Sequence, residues 1–293
     1  MMGDKKTRLA LVYDFDKTLT PRPMRDYINW PDLTDKKKGA LWNDKPTSFS
    51  SEVDKEIYWM RKVKQYADLK PGRLTRRFFL EQGKNVTFFS GVESFFTRIN
   101  DSVYSMSHGT MECNHYIISS SIKDVIEGTP IASHFRNIFA SLFYYERTGP
   151  TFPQIVVNDA VKTQCLYRIN KNRERWSEDV NEYMPEEERP VPFSNMIYLG
   201  DGLTDIPALS VVRKNGGYGI GVYSDITPSS LKTLKDLIDG NRIDFAAPAD
   251  YSENSILCKA LTTILRIIIE KVRLQQMKKE SIQTSRTLAR QHG

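Results

Sequence analysis

Cysteine is scarce in this chain, and the three present, Cys113, Cys165 and Cys258, stand far apart with no paired spacing. Neither a disulfide framework nor a thiolate zinc centre is indicated, and a reducing compartment fits. The four histidines, His108, His115, His134 and His292, lack the spacing of metal ligands. Long apolar runs are missing too: nothing approaches the roughly 18 residues of a membrane span. The opening MMGDKK leads into a short apolar strand rather than a signal-peptide core. A cytoplasmic protein with no membrane partner is expected.

What is present is an ordinary folded composition. The apolar fraction is 40%, the charged fraction 27% and the aromatic fraction 11%, which excludes disordered, collagen-like and low-complexity classes. A length of 293 residues suits one large or two modest domains. The formal charge of +6 is concentrated at one end. From Lys271 onward there are six basic residues, Lys271, Arg273, Lys278, Lys279, Arg286 and Arg290, against Glu280 alone, so this tail carries five of the six net charges.

Short apolar runs recur at Arg8 to Tyr13, Tyr116 to Ser119, Phe139 to Tyr144, Asn195 to Asp201 and Tyr218 to Tyr223. Helix-like stretches such as Ile122 to Glu127 and Lys162 to Asn170 lie between them. This alternation predicts a doubly wound α/β domain. Tyr145 to Gln154, with its Gly-Pro turn, reads as a hairpin. The segment from Thr20 to Cys113 departs from the alternation, with helical spacing at Val53, Ile57, Met60 and Val63. It is expected to form an inserted helical domain, residues 20–113. Residues 1–19 and 114–275 form the α/β core, and 276–293 a basic tail expected to fray after the apolar helix at Ser255 to Leu274.

Two strand ends carry acids. Asp14-Phe15-Asp16 closes the first run and is followed by Lys17-Thr18; Gly200-Asp201-Gly202-Leu203-Thr204-Asp205 closes the fourth. A pair of carboxylates one residue apart suits a nucleophile beside an acid/base group. Two acids four apart, between turn-permitting glycines, suit a hard cation held by oxygen ligands.

DFDKT resembles the first motif of the haloacid dehalogenase superfamily of phosphohydrolases, and GDGLTD resembles its fourth. In the order that superfamily requires, YIISSS supplies a hydroxyl at Ser119 with the Ser120 amide beside it for a phosphoryl oxygen. NDAVKTQCLYRINK supplies a basic residue, Lys162, with Lys171 as the competitor. The resemblance spans about two thirds of the chain, from Asp14 to Asp205. It implies a Rossmann-like doubly wound parallel sheet with a mainly helical cap inserted after the first strand.

The resemblance also implies a chemistry. Asp14 would form an aspartyl-phosphate and Asp16 would act as acid/base. Mg2+ would be held by Asp14, the Asp16 backbone carbonyl and Asp201, with Asp205 in support. The acid at Asp16 matches phosphatases rather than dehalogenases or transport ATPases. The expected activity is therefore magnesium-dependent hydrolysis of a small soluble phosphorylated metabolite, phosphoserine-like or nucleotide-like, with the cap selecting the substrate. Trp30, Trp42, Trp59, Arg61, Arg73, Arg76 and Arg77 are the cap side chains suited to substrate contact. Two other readings stand beside this one: a phosphotransferase with the same core chemistry, and a nucleic-acid or acidic-partner binder using the basic tail. The tail lacks interleaved aromatics, and nucleic acid is not the expected partner.

Overall fold

The computed structural model describes residues 7–34, 52–224 and 227–292. Its centre is strand β1 (Thr7–Tyr13), buried on both faces as a continuous apolar run demands. Strands β2 (Met111–Ile122), β3 (Phe135–Glu146) and β4 (Gly149–Ile155) extend the sheet on one side. Strands β5 (Met196–Gly200), β6 (Tyr218–Tyr223) and β7 (Phe245–Pro248) extend it on the other, giving the order β4-β3-β2-β1-β5-β6-β7. All pairings are parallel except β3 with β4, which form the expected antiparallel hairpin through Arg147 and Thr148.

The period-two alternation of β1 sorts its side chains between two cores. Leu9, Leu11 and Tyr13 face a core built with helices α3 (Val92–Met106) and α8 (Ile256–His292). Ala10 and Val12 face a second core built with α5 (Asp159–Lys171), α6 (Ile206–Lys214) and α7 (Pro228–Asp239). Helices on both faces make the sheet doubly wound, as the sequence predicts.

One expectation is corrected. The proposed insertion at 20–113 includes α1 (Lys55–Asp68), which packs on β4, and α2 (Arg76–Gln82), which packs on α4 (Lys123–Glu127). It also takes in α3, which lies on the sheet itself: Phe95 and Phe96 meet the Tyr13 ring edge-on at 6.3 and 5.8 Å. Apolar spacing announces a helix but not the surface it covers, so α3 belongs to the core layer and any cap ends before it. The tail, read as a solvated helix expected to fray, is helical. Helix α8 continues without a break to His292, although its side chains are exposed from Leu274 to Leu288. The segment is polar, yet it holds Gln, Lys, Glu, Arg, Leu and Ala with no glycine or proline before Gly293, and these residues favour helix without packing.

Sheet order reverses at β1. Neighbours β2 and β5 lie on either side of it and the chain leaves in opposite directions, which opens a crevice beyond the carboxyl ends of β1 and β5. The acidic motifs sit there.

Candidate active site

Asp14 is the first residue beyond β1, and its amide donates to the Leu199 carbonyl of β5 at 2.9 Å. This bond carries the sheet one step past the strand and fixes where the carboxylate starts. Its Oδ1 accepts from the Phe15 amide at 2.8 Å and faces the Lys162 ammonium at 3.3 Å. Lys162 is almost completely buried on α5 and also bonds Asp205 Oδ1 at 2.8 Å. The helix is anchored by its N-cap, Asn158, whose Oδ1 accepts from Val161 N. Asn158 Nδ2 donates to Asp54, the N-cap of α1, so the two helix starts are tied together at 2.8 Å.

Asp205 is committed on both oxygens. Oδ1 accepts from Lys162 and from the Tyr198 hydroxyl, at 2.8 and 2.7 Å, and Oδ2 accepts from the Gly202 amide at 3.3 Å. The carboxylate also lies against Gly200, where an added Cβ would stand 2.5 Å from Asp205 Oδ2. Glycine at 200 is a requirement of that close approach.

The Asp16 side chain turns away from this cluster. Its Oδ1 accepts from the Met24 amide and its Oδ2 from the Ser121 hydroxyl, each at 2.9 Å. Asp16 lines a cavity of about 200 Å³ together with Met24, Arg25, Glu56, Trp59 and Ser121. Asp201 lines a second cavity of about 500 Å³ with Lys17, Thr227 and Ser230.

The electrostatics follow from burying so many acids. Burial pushes the Asp14 carboxyl well above the ordinary range, with the Lys162 charge opposing it. Burial raises Asp16 to about 6 against the opposing hydrogen bonds from Ser121 and Met24. Asp201 rises to about 7, through burial and then the Asp205 charge. Burial alone would lower Lys162, but the charges of Asp14 and Asp205 outweigh it and the ammonium is held protonated.

The donor set fits a hard divalent cation. Asp14, Asp201 and Asp205 each offer a carboxylate oxygen, all within 4.8 Å of one another, and only Lys162 stands against these charges by direct contact among the described residues. Oxygen ligands of this kind suit Mg2+.

The structure therefore brings Asp14, Lys162, Asp201 and Asp205 into one cluster and places Asp16 beside it. Ser119 is buried in β2, three residues before its end, and accepts from the Ser121 amide at 3.2 Å, while Ser120 lines the Asp16 cavity. Lys171 lies elsewhere, its ammonium on the carbonyls of Val180 and Glu182. Of the cap side chains singled out in the sequence, Trp59 reaches the cavity. Trp30 is buried against Tyr66 and Phe79, and Arg76 pairs with Asp124 and Glu127. Trp42 lies outside the described residues. Three contacts were not anticipated: Ser121 on Asp16, Tyr198 on Asp205, and Arg25 in the cavity wall.

Comparison with solved structures finds the same architecture. A HAD family hydrolase from Salmonella enterica serovar Typhi matches with a TM-score of 0.53 at 14% identity, over 82% of this chain and 67% of that one. A phosphoserine phosphatase captured as a phospho-aspartyl intermediate analogue matches with a TM-score of 0.53 at 13% identity, over 88% and 99%. The fold is that of the haloacid dehalogenase hydrolases. Within that fold the acids Asp14 and Asp201 occupy the ends of the central strand and its neighbour. Among curated sequences, an uncharacterised protein of Borreliella burgdorferi is 24% identical over 282 residues, which is 87% of this chain and 96% of its own length. No protein-family profile matches the sequence. Among the described residues, no helix is long and apolar enough to cross a membrane.

Proposed function

We propose that this protein is a magnesium-dependent phosphomonoester hydrolase that works through a phosphorylated Asp14. The observation that carries the reading is the placement of Asp14 at the end of β1, with the Lys162 ammonium 3.3 Å from its carboxylate. Asp16, two residues on, faces an open cavity. On this reading Asp14 is the nucleophile, Lys162 its counter-cation, and Asp16, beside that cluster, the acid/base group.

In the first half-reaction an Asp14 oxygen attacks phosphorus and the bond to the leaving alcohol breaks, with Asp16 delivering its proton to that alkoxide. In the second, Asp16 takes a proton from water as the water oxygen attacks phosphorus. The Asp14–phosphorus bond then breaks, releasing inorganic phosphate and returning both aspartates to their starting states. Lys162 offsets the charge that gathers on nucleophile and phosphoryl group, and the hydroxyl of Ser119 with the amide of Ser120 is assigned to the phosphoryl oxygens. Asp14, Asp201 and the Asp16 backbone carbonyl would hold Mg2+, which supplies further neutralisation of the phosphoryl oxygens when bound. Asp205, held by Lys162, the Tyr198 hydroxyl and the Gly202 amide, supports the site through Lys162. The partner is a small phosphorylated metabolite, its alcohol portion held in the cavity beside Asp16, under a cap drawn from the residues that precede α3. The site of action is the cytoplasm.

The test is inorganic phosphate release from a panel of phosphoserine, nucleoside monophosphates and sugar phosphates, with magnesium and with a chelator. Magnesium-dependent release by the natural protein, lost in Asp14→Asn, is the expected result. No release from any panel member, or equal release by the variant, overturns the proposal.

A further inference from the structure

We infer that Tyr198 is a positioning residue of this site, acting through Asp205 to keep the Lys162 ammonium within reach of Asp14. The inference rests on the hydrolase reading for its consequence, but its geometry stands apart from that reading. Tyr198 belongs to β5, in a run that otherwise supplies apolar core, and its ring is completely buried in the core that also holds Val12, Cys165, Leu166 and Leu209. A phenylalanine would fill the same space. The hydroxyl is what departs from the pattern, and it ends 2.7 Å from Asp205 Oδ1.

That oxygen is the one Lys162 holds, at 2.8 Å. The same ammonium lies 3.3 Å from Asp14 Oδ1, so it is shared unequally between two buried carboxylates. In a water-poor site the balance between two such attractions is steep in distance and in charge. By donating to Asp205 Oδ1, Tyr198 draws electron density from the atom that competes with Asp14 for the lysine. Burial holds the phenol protonated, so it stays a donor. The contact with Gly200 and the Gly202 amide on Oδ2 fix the other side of the same carboxylate. Asp205 is thus clamped from three directions, and Tyr198 is the clamp on the oxygen that faces Lys162. Without the hydroxyl, Oδ1 keeps Lys162 as its sole side-chain donor and the ammonium settles toward Asp205, away from Asp14.

Tyr198→Phe removes the oxygen and leaves the ring. With the best substrate of the panel, kcat is expected to fall about tenfold while KM stays within about twofold, because Asp14 acts in the chemical step. In an Asp205→Asn background the same substitution should produce no further loss of kcat, since its route is already cut. A wild-type kcat in Tyr198→Phe, or an equal further loss in the Asp205→Asn background, overturns the inference. Crystal structures of the natural protein and of Tyr198→Phe supply a readout independent of turnover. The Lys162–Asp14 separation should lengthen in the variant, and unchanged positions of Asp205 and Lys162 would refute the positioning role. Should the natural protein hydrolyse nothing in the panel, the hydrolase reading fails and the crystallographic comparison still decides whether Tyr198 positions the lysine.

Discussion

The Ser121 hydroxyl donates to Asp16 Oδ2 at 2.9 Å, joining two residues 105 apart in the chain. The backbone explains how it reaches. Pairing of β2 with β3 is regular from Tyr116 to Ser119 and resumes at Ile122, so Ser120 and Ser121 form a bulge, and bulges re-aim side chains at strand ends. With Met24 N on the other oxygen, both lone-pair faces of Asp16 are engaged and the carboxyl cannot rotate freely. Ser121→Ala frees one of them. The expected result is a fall in kcat of about tenfold to a hundredfold with the fold intact by circular dichroism. Unchanged steady-state kinetics would show that Asp16 needs no such support.

Lys162 and Lys171 share one helix but not one environment. Lys162 is buried between Asp14 and Asp205, and Lys171 reaches outward to two carbonyls. Removing the buried ammonium leaves two buried carboxylates without their cation, a change that costs about 3–5 kcal/mol. Lys162→Met is therefore expected to lower the denaturation midpoint sharply and to abolish turnover. Lys171→Ala should retain turnover. Equal activity of the Lys162 variant and the natural protein in phosphate release would remove Lys162 from the site.

The parts of this site that were legible in the sequence are those fixed by strand ends. A fully buried parallel strand reads as an apolar run, and the acid that follows it must emerge at the carboxyl edge of the sheet, which is how Asp14 and Asp201 were located. Ser121 was hidden because a bulge breaks the alternation from which side-chain direction is inferred. Tyr198 was hidden because tyrosine is ordinary in a buried strand, and only coordinates show where its hydroxyl points. The role of α3 was misjudged for a related reason: Phe95 and Phe96 announce an apolar face without naming Tyr13 as what it covers.

Gly200 precedes Asp201, one of the acids proposed to hold Mg2+, and lies under the Asp205 carboxylate, with no room for a methyl group. Gly200→Ala is expected to displace Asp205 and, through it, Lys162. Overpacking of this kind costs about 1–3 kcal/mol. Thermal unfolding should register that loss, and phosphate release should fall further than the stability change alone explains. A variant with the natural melting temperature and natural turnover would show that the carboxylate has another place to go.

His115 offers a test of the core that is independent of catalysis. Its Nδ1 lies 2.9 Å from the Tyr13 hydroxyl and its Nε2 lies 3.0 Å from Asn100 Oδ1. The phenol of Tyr13 stays protonated in its buried setting, so it donates to Nδ1, and Nε2 carries the proton given to Asn100. The ring is thereby fixed as the neutral imidazole. Burial, with the nearby His134 adding to it, lowers its pKa from the ordinary 6.5 to about 3. The unfolded chain takes up a proton below pH 6.5 that the folded chain refuses until about pH 3. Stability is thus full above the unfolded value and drains away as the pH falls, by about 1.4 kcal/mol per pH unit within the window. Denaturant unfolding of the natural protein and of His115→Gln, compared between about pH 6.5 and 5, isolates this contribution, because the titrations of Asp16 and Asp201 are common to both and cancel in the difference. The glutamine variant should show a flatter loss of stability with acidification. Parallel slopes for the two proteins would mean that His115 already accepts a proton in the folded state.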